Sequence, residues 1–324
     1  MDALSDVLRV VGLTGGVFLD ARFTAPWCIL GQVGPDNCAP YMTPPAFVMC
    51  FHFVLEGRCV IAVDGEPPCE AEEGDVVLLA RNELHRLGSD LSGKPVSAAD
   101  IIREPDGAGI PSISHGGGGE ACAMVCGFLG GDAQLEPLIA TLPPLLKFNV
   151  KGTPGGEWIS QSFRFGARGL ANGDPGTATI MARMSELLFV EAVRRYLTTM
   201  PPERTGFLAG LRDPAVGKAL ALMHTTVARA WTAEDLAAAV NLSRSAFADR
   251  FTALIGQSPM TYLASWRMRV AAHKLREGRQ TIGQIAFDVG YESEAAFTRA
   301  FKRELGVPPA TWRRQTLESP VAAK

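Results

Sequence analysis

Hydrophobic spacing changes character along the chain. Up to about residue 135, short apolar runs recur at 46–55, 59–63, 75–80, 96–102 and 121–129. They are separated by Asp64-Gly65, Glu73-Gly74, Gly88-Ser89-Asp90 and the glycine loop SHGGGG at 114–119. Runs of that length between turn residues predict strands, and several in succession predict a small all-β barrel or sandwich. Helical spacing follows, first around Glu157 to Arg168 and then from Thr177 to Thr199, where Ile180, Met184, Leu187, Leu188 and Val193 fall near one face. The second stretch suits either a core helix packed on the barrel or a helix that pairs with a second copy. Met200-Pro201-Pro202 ends it, and the residues to Gly210 read as a linker.

The remainder is helical and clearly punctuated. Thr232 precedes AEDLAAAV as an N-cap, with Asp235 at the third helical position; Asn241-Leu242 turns, and Ser243 caps RSAFADRFTALI, which stops at Gly256. Pro259 opens a long helix ending at Gly278. The unit then recurs: Thr281 before IGQIAFDV, a turn at Gly290-Tyr291-Glu292, Ser293 before EAAFTRAFKREL, and a stop at Gly306. Two short helices around a tight turn make a helix-turn-helix. Leu236, Ala237, Val240, Leu242, Phe247 and Phe251 supply the core of the first copy, and Ile282, Ile285, Ala286, Val289, Phe297 and Phe301 that of the second. This leaves Arg244, Ser245, Ala248 and Asp249 exposed on one second helix, and Glu294, Ala295, Thr298, Arg299 and Lys302 on the other. Hydrogen-bonding or short side chains near a helix start, with basic ones further along, suit base contact and phosphate anchoring. The joining helix is about 30 Å long, close to the ~34 Å between successive major grooves on one face of B-DNA.

Charge sharpens the division. Residues 1–211 carry 15 Lys and Arg against 24 Asp and Glu, a net of −9, whereas 212–315 carry 15 against 9, a net of +6. A basic back behind an acidic front places a polyanion at the back. At 47% apolar and 20% charged residues, the composition excludes disorder. The start MDALSDVLRVVGL lacks a basic n-region, and no run approaches the ~20 residues of a membrane span, so a cytoplasmic protein is expected. The seven cysteines are expected as free thiols in a reducing compartment.

The pattern IA(x3)GY(x)S(x3)F(x)R(x)FK(x3)G(x2)P, running from Ile285 to Pro309, resembles the AraC/XylS family DNA-binding domain, as does the whole C-terminal third. Tyr291 stands where Phe is commoner in that family, and Trp312 where Tyr usually stands. The front, through FHFVLEGRCVIAVDG, EAEEGDVVLLARNELHRL and CAMVCG, resembles the cupin barrels of one branch of that family, which includes regulators that sense reactive chlorine species. The resemblance implies an α+β multidomain protein: an N-terminal cupin-like β-barrel, then helices, then an all-α double helix-turn-helix DNA-binding domain. The expected divisions are 1–150 for the sensor, 151–210 for a helical linker with a candidate dimerisation surface, 211–316 for the DNA-binding domain and 317–324 for a tail.

Cupin metal sites present two His one residue apart, a Glu four later and a distant His; those positions here hold Cys50, His52, Glu56 and His85. On a strand, 50, 52, 54 and 56 share a face, and thiolate, imidazole and carboxylate all suit zinc. The same residues also suit an ordinary core. Redox sensing is a second expectation, through Cys28, Cys38, Cys69, Cys122 and Cys126, the first three in Pro/Gly-rich stretches that favour greater access to solvent. Cys122 and Cys126 lie about 13 Å apart on an extended strand, too far for a direct disulfide. A third is a small-molecule pocket lined by Phe51 or Phe53, Val63, Leu78 and Met124. The expected function is a homodimeric transcription regulator, an activator, that binds double-stranded promoter DNA, meets RNA polymerase and answers an oxidant or a small inducer. The competing class is a metal-dependent cupin enzyme with an autoregulatory DNA module, which Cys50 in place of His disfavours.

Overall fold

A computed structural model describes residues 4–5, 13–34, 38, 45, 47–105, 109–131, 136–151 and 154–318; the end of the tail, 319–324, lies outside them. The chain divides into two compact units, Leu13–Ala133 with Leu142–Thr199, and Gln134–Thr141 with Met200–Lys324. Among the described residues no helix is long and apolar enough to cross a membrane.

In the front unit the strands are β1 (Leu13–Thr24), β2 (Cys28–Gly31), β3 (Phe47–Glu56), β4 (Arg58–Val63), β5 (Cys69–Glu72), β6 (Asp75–Leu79), β7 (His85–Gly88), β8 (Val96–Ser97), β9 (Ser112–Gly116), β10 (Ala121–Gly131) and β11 (Leu145–Asn149). They form a six-stranded sheet in the order β11-β6-β3-β10-β1-β9 and a five-stranded sheet in the order β5-β4-β7-β2-β8. The barrel is therefore open, a cupin sandwich of two sheets. Leu19, Phe23, Val54, Ile61, Leu87 and Met124 meet between them. Every residue from Met49 to Val54 is buried. The reason is a cover on the outer face, where Phe51 and Phe53 set their rings edge-on to Phe163, with centroids at 6.0 and 5.3 Å. A strand buried on both faces reads as a continuous apolar run rather than an alternating one.

Phe163 belongs to α2 (Pro154–Asn172), longer than the 157–168 expected, and α2 packs on α3 (Thr177–Thr199). Gly166 permits the approach: a Cβ there would lie 1.8 Å from the Met181 sulfur. Helix α3 buries Met181, Met184, Leu188, Phe189, Val193 and Tyr196, and so serves as a core helix. The apolar run at 96–102 is not one strand: β8 stops at Ser97 and α1 (Ala98–Ile101) follows, with Asp100 in its first turn.

The second unit begins before residue 211. Helix α4 (Phe207–Arg212) buries Phe207, Leu208, Ala209 and Gly210, so the expected linker is packed structure instead. Gly210 lies where a Cβ would meet the Ile255 side chain at 2.3 Å. Helix α5 (Pro214–Thr225) is capped by Asp213, which accepts from the amides of Ala215 and Val216 and also takes the Arg250 guanidinium at 2.8 Å. The repeated pair follows: α6 (Ala233–Ala239) and α7 (Arg244–Ile255), the long α8 (Pro259–Glu277), then α9 (Ile282–Asp288), α10 (Glu294–Leu305) and α11 (Pro309–Glu318).

Candidate functional site

The two copies in the second unit are built by the same local chemistry. Thr232 and Asp235 form a capping box at α6, and Thr281 and Gln284 form one at α9. Each first helix breaks at a residue with positive φ, Asn241 at 58° and Gly290 at 83°. Gly290 is required twice over, because a Cβ there would also meet the Ala228 carbonyl at 2.7 Å and the Arg267 guanidinium at 2.8 Å. Ser243 and Ser293 then accept from the amides of Ala246 and Ala296 and start α7 and α10. Phe247 and Phe251 in one copy, and Phe297 and Phe301 in the other, are wholly buried and fix the roll of each second helix.

That roll turns Arg244, Ser245, Asp249, Glu294, Ala295, Arg299 and Lys302 to solvent and leaves Ala248 and Thr298 half-buried on the same face. Among the described residues Arg244, Arg299 and Lys302 enter no ion pair, whereas Arg250 is tied to Asp213 and Lys274 to Asp288 at 2.7 Å. The α8 rod carries both copies. Arg267 donates to the carbonyls of Val227 and Arg229 at 3.0 and 2.8 Å. Trp266 stacks on His224 at 3.8 Å between centroids, and the Tyr262 hydroxyl lies 2.8 Å from His224 Nε2.

In the front unit, Cys50, His52 and His85 bring one ligand atom each within 4.8 Å of one another, all three buried. His52 Nε2 lies 2.8 Å from His85 Nε2, His52 Nδ1 lies 3.1 Å from Cys126 Sγ, and His85 Nδ1 lies 2.8 Å from the Glu83 carbonyl oxygen. A carbonyl only accepts, so His85 carries its proton on Nδ1 and leaves Nε2 bare. His52 then donates from Nε2 and accepts at Nδ1 from the Cys126 thiol. Burial agrees with this neutral chain: it lowers the pKa of both imidazoles, most for His52, and raises those of Cys50 and Cys126. The chain borders a cavity of about 200 Å³ lined by Leu19, Ala21, Phe23, Ile29, Leu87 and Met124. Of the pocket residues expected from sequence, Met124 lines it; Phe51 and Phe53 face α2, and Val63 and Leu78 are not in its wall.

Glu56 corrects the expected ligand set. Val54 pairs with Met124 but Glu56 pairs with Ala123, so β3 carries one extra residue, Leu55, in a bulge. One inserted residue reverses the side-chain alternation, and Glu56 emerges exposed beside Ala123 instead of following 50, 52 and 54 inward. The cysteines need correction as well. Cys28 and Cys38 are buried rather than open, and of the seven Cys69 alone is partly exposed. Burial raises the pKa of all three. Cys126 sits against His52, and Cys122 is buried in the same core cluster as Cys59, a residue the sequence offered no reason to select.

The cupin family profile matches residues 2–198 and that of the helix-turn-helix domain matches 236–315. The chain is 34% identical over 320 residues, 98% of its length and 100% of the other's, to an AraC-like transcription regulator of Streptomyces antibioticus. It belongs to the AraC-like transcription regulators. Another such regulator, of Streptomyces lividans, is 37% identical over 82% of this chain and 87% of its own. The RCS-specific HTH-type transcriptional activator RclR of Escherichia coli is 26% identical over 97% of each. As an AraC-like regulator, the protein joins a cupin ligand-sensing unit to a helix-turn-helix unit of the kind that binds double-stranded DNA.

Proposed function

We propose that α7 and α10 read successive major grooves of promoter DNA and that the signal controlling them enters at the Cys50–His52–His85 centre. Supporting the first part are Arg244, Arg299 and Lys302, which enter no ion pair among the described residues, on exposed helix faces that also carry Ser245, Ala248, Asp249, Glu294, Ala295 and Thr298, side chains of the kinds that contact base edges and thymine methyls. The 19 residues of α8 give a rod about 28 Å long, the right order for two grooves on one side of a duplex.

The observation that carries the second part is the meeting of three buried donors at the wall of an apolar cavity. The donor set fits zinc: a thiolate and two imidazoles are tetrahedral-zinc ligands, and the Glu83 carbonyl already orients His85 with Nε2 turned inward. Bound there, Cys50, His52 and His85 would hold the ion, and the cavity would admit a small apolar molecule to its open side. We read the protein as a cytoplasmic homodimer that engages RNA polymerase at its promoter.

The test uses the full chain, purified without chelator, with zinc measured by mass spectrometry before and after dialysis against zinc. Near-stoichiometric zinc that falls severalfold in Cys50→Ser and in His85→Gln, each with unchanged far-UV circular dichroism, is the expected result. Folded wild-type protein that takes up no zinc would remove the metal and leave the cavity alone as the signal site.

A further inference from the structure

The α8 rod carries Arg267 and Lys274 seven residues apart, about two turns along one face. Lys274 holds Asp288 at 2.7 Å, and Asp288 is the last residue of α9 in the second copy. Arg267 reaches toward the first copy instead. Its Nε and Nη2 donate to the carbonyls of Val227 and Arg229 at 3.0 and 2.8 Å, in the segment that runs from α5 into α6. That segment is itself held in shape. The Arg229 amide donates to the Thr226 carbonyl, the Trp231 indole donates to the Thr226 hydroxyl, and the Arg229 guanidinium lies over the Trp231 ring, 3.7 Å from its centre.

The turn of the second copy lies against the same side chain and the same segment. The missing Cβ of Gly290 is what lets it in, since that atom would fall 2.8 Å from Arg267 Nη2 and 2.7 Å from the Ala228 carbonyl oxygen. One guanidinium therefore stands where three parts of the unit meet: the rod, the segment that leads into α6, and the turn that leads into α10. Other contacts seat one copy at a time. Phe251 sets its ring against Tyr262, 5.7 Å between centroids, and so seats α7 on the start of the rod, while Lys274 and Asp288 seat α9 near its end. Arg267 faces both copies from the middle.

We infer, on the reading of α7 and α10 as helices in successive grooves, that Arg267 is a positioning residue that determines specificity. It fixes one reading helix against the other, and so fixes how many base pairs must separate the two elements of the DNA site. Each base pair inserted between the elements shifts the second by about 3.4 Å and turns it by about a tenth of a turn round the duplex. Two copies locked to each other cannot follow that rotation, whereas two copies joined by the rod alone can roll on their separate seats. Arginine suits the task and lysine does not. The planar fork aims two N–H groups at two fixed carbonyls at once, while an ammonium on a flexible stem imposes no plane.

The experiment takes duplexes selected by the full-length wild-type chain and inserts one, two or three base pairs between the two elements. Binding is followed by fluorescence anisotropy for wild type, Arg267→Lys and Arg267→Gln, with each element alone in a scrambled background as the reference. Wild type is expected to lose about tenfold in affinity on the two-base-pair insertion. Both variants should bind each single element within about twofold of wild type, bind the selected spacing more weakly than wild type does, and bind the insertions within about threefold of the selected spacing. Arg267→Lys keeps the charge, so a lost phosphate contact does not produce that pattern in it. A fixed spacing in wild type that both variants keep would overturn the assignment alone. Equal losses by Arg267→Lys on single elements and on the joined site would make Arg267 an ordinary stabilising residue and overturn it as well. A wild type that selects one undivided element would remove the two-groove reading, and this assignment with it.

Discussion

At the scale of single residues, His224 shows how polar groups are used inside the DNA-binding unit. It is buried between Phe207 and Trp266, its ring nearly parallel to both. The Tyr262 hydroxyl, whose pKa burial raises, shares a hydrogen bond with His224 Nε2 at 2.8 Å. Tyr262→Phe would remove that hydrogen bond at nearly constant volume. The expected loss is about 1–3 kcal/mol of stability, read as a lower urea midpoint with an unchanged slope. A midpoint equal to wild type would mean that the ring stack alone holds the joint. Residues of this kind were legible as apolar or aromatic positions but not as partners, because α5 and α8 are brought together only by the fold. Glu56 was misplaced for a more local reason. A single bulge at Leu55 reverses the inward alternation that Cys50 and His52 establish, and nothing in FHFVLEG marks the extra residue.

At the scale of elements, caps and stops carried the reading. Thr232, Ser243, Thr281 and Ser293 all accept the amides that their sequence contexts predict, and Gly256, Gly278 and Gly306 end their helices with positive φ. Helix α2 was harder, since Gly155, Gly156, Gly166 and Gly169 dilute its propensity; at least Gly166 is there to admit Met181. Short strands such as β2, β5 and β7 carry four residues each and too little periodicity to register. Helix α2 also leaves Trp158 and Phe165 exposed, and α3 leaves Ile180 and Leu187, each pair seven residues apart and so on one face of its own helix. In the homodimer proposed above, the second copy of the chain would cover these side chains. Trp158→Ser with Phe165→Ser should shift the sedimentation of the full chain from dimer to monomer at micromolar concentration. A double variant that sediments as the wild type does would place the dimer surface elsewhere.

At the scale of the whole molecule, the division of charge at residue 211 anticipated the division of labour, −9 on the sensing side and +6 on the DNA side. The repeat fixed the rest: Phe247 and Phe297, Phe251 and Phe301, Gly256 and Gly306, and Pro259 and Pro309 are each fifty apart, so α11 stands to the second copy as α8 stands to the first. The sensor resisted sequence reading because its contacts cross between sheets. His52 in β3 meets His85 in β7 and Cys126 in β10, at separations along the chain that no local pattern encodes.

Selection of bound duplexes from a random pool by the full-length protein asks whether one chain presents two reading helices to two adjacent grooves. The predicted result is a bipartite site with two elements about 10 base pairs apart. Arg299→Ala should lose preference in one element and Arg244→Ala in the other, each at a cost of about 1–3 kcal/mol. A single undivided element, or the same bipartite preference in both variants, would contradict it.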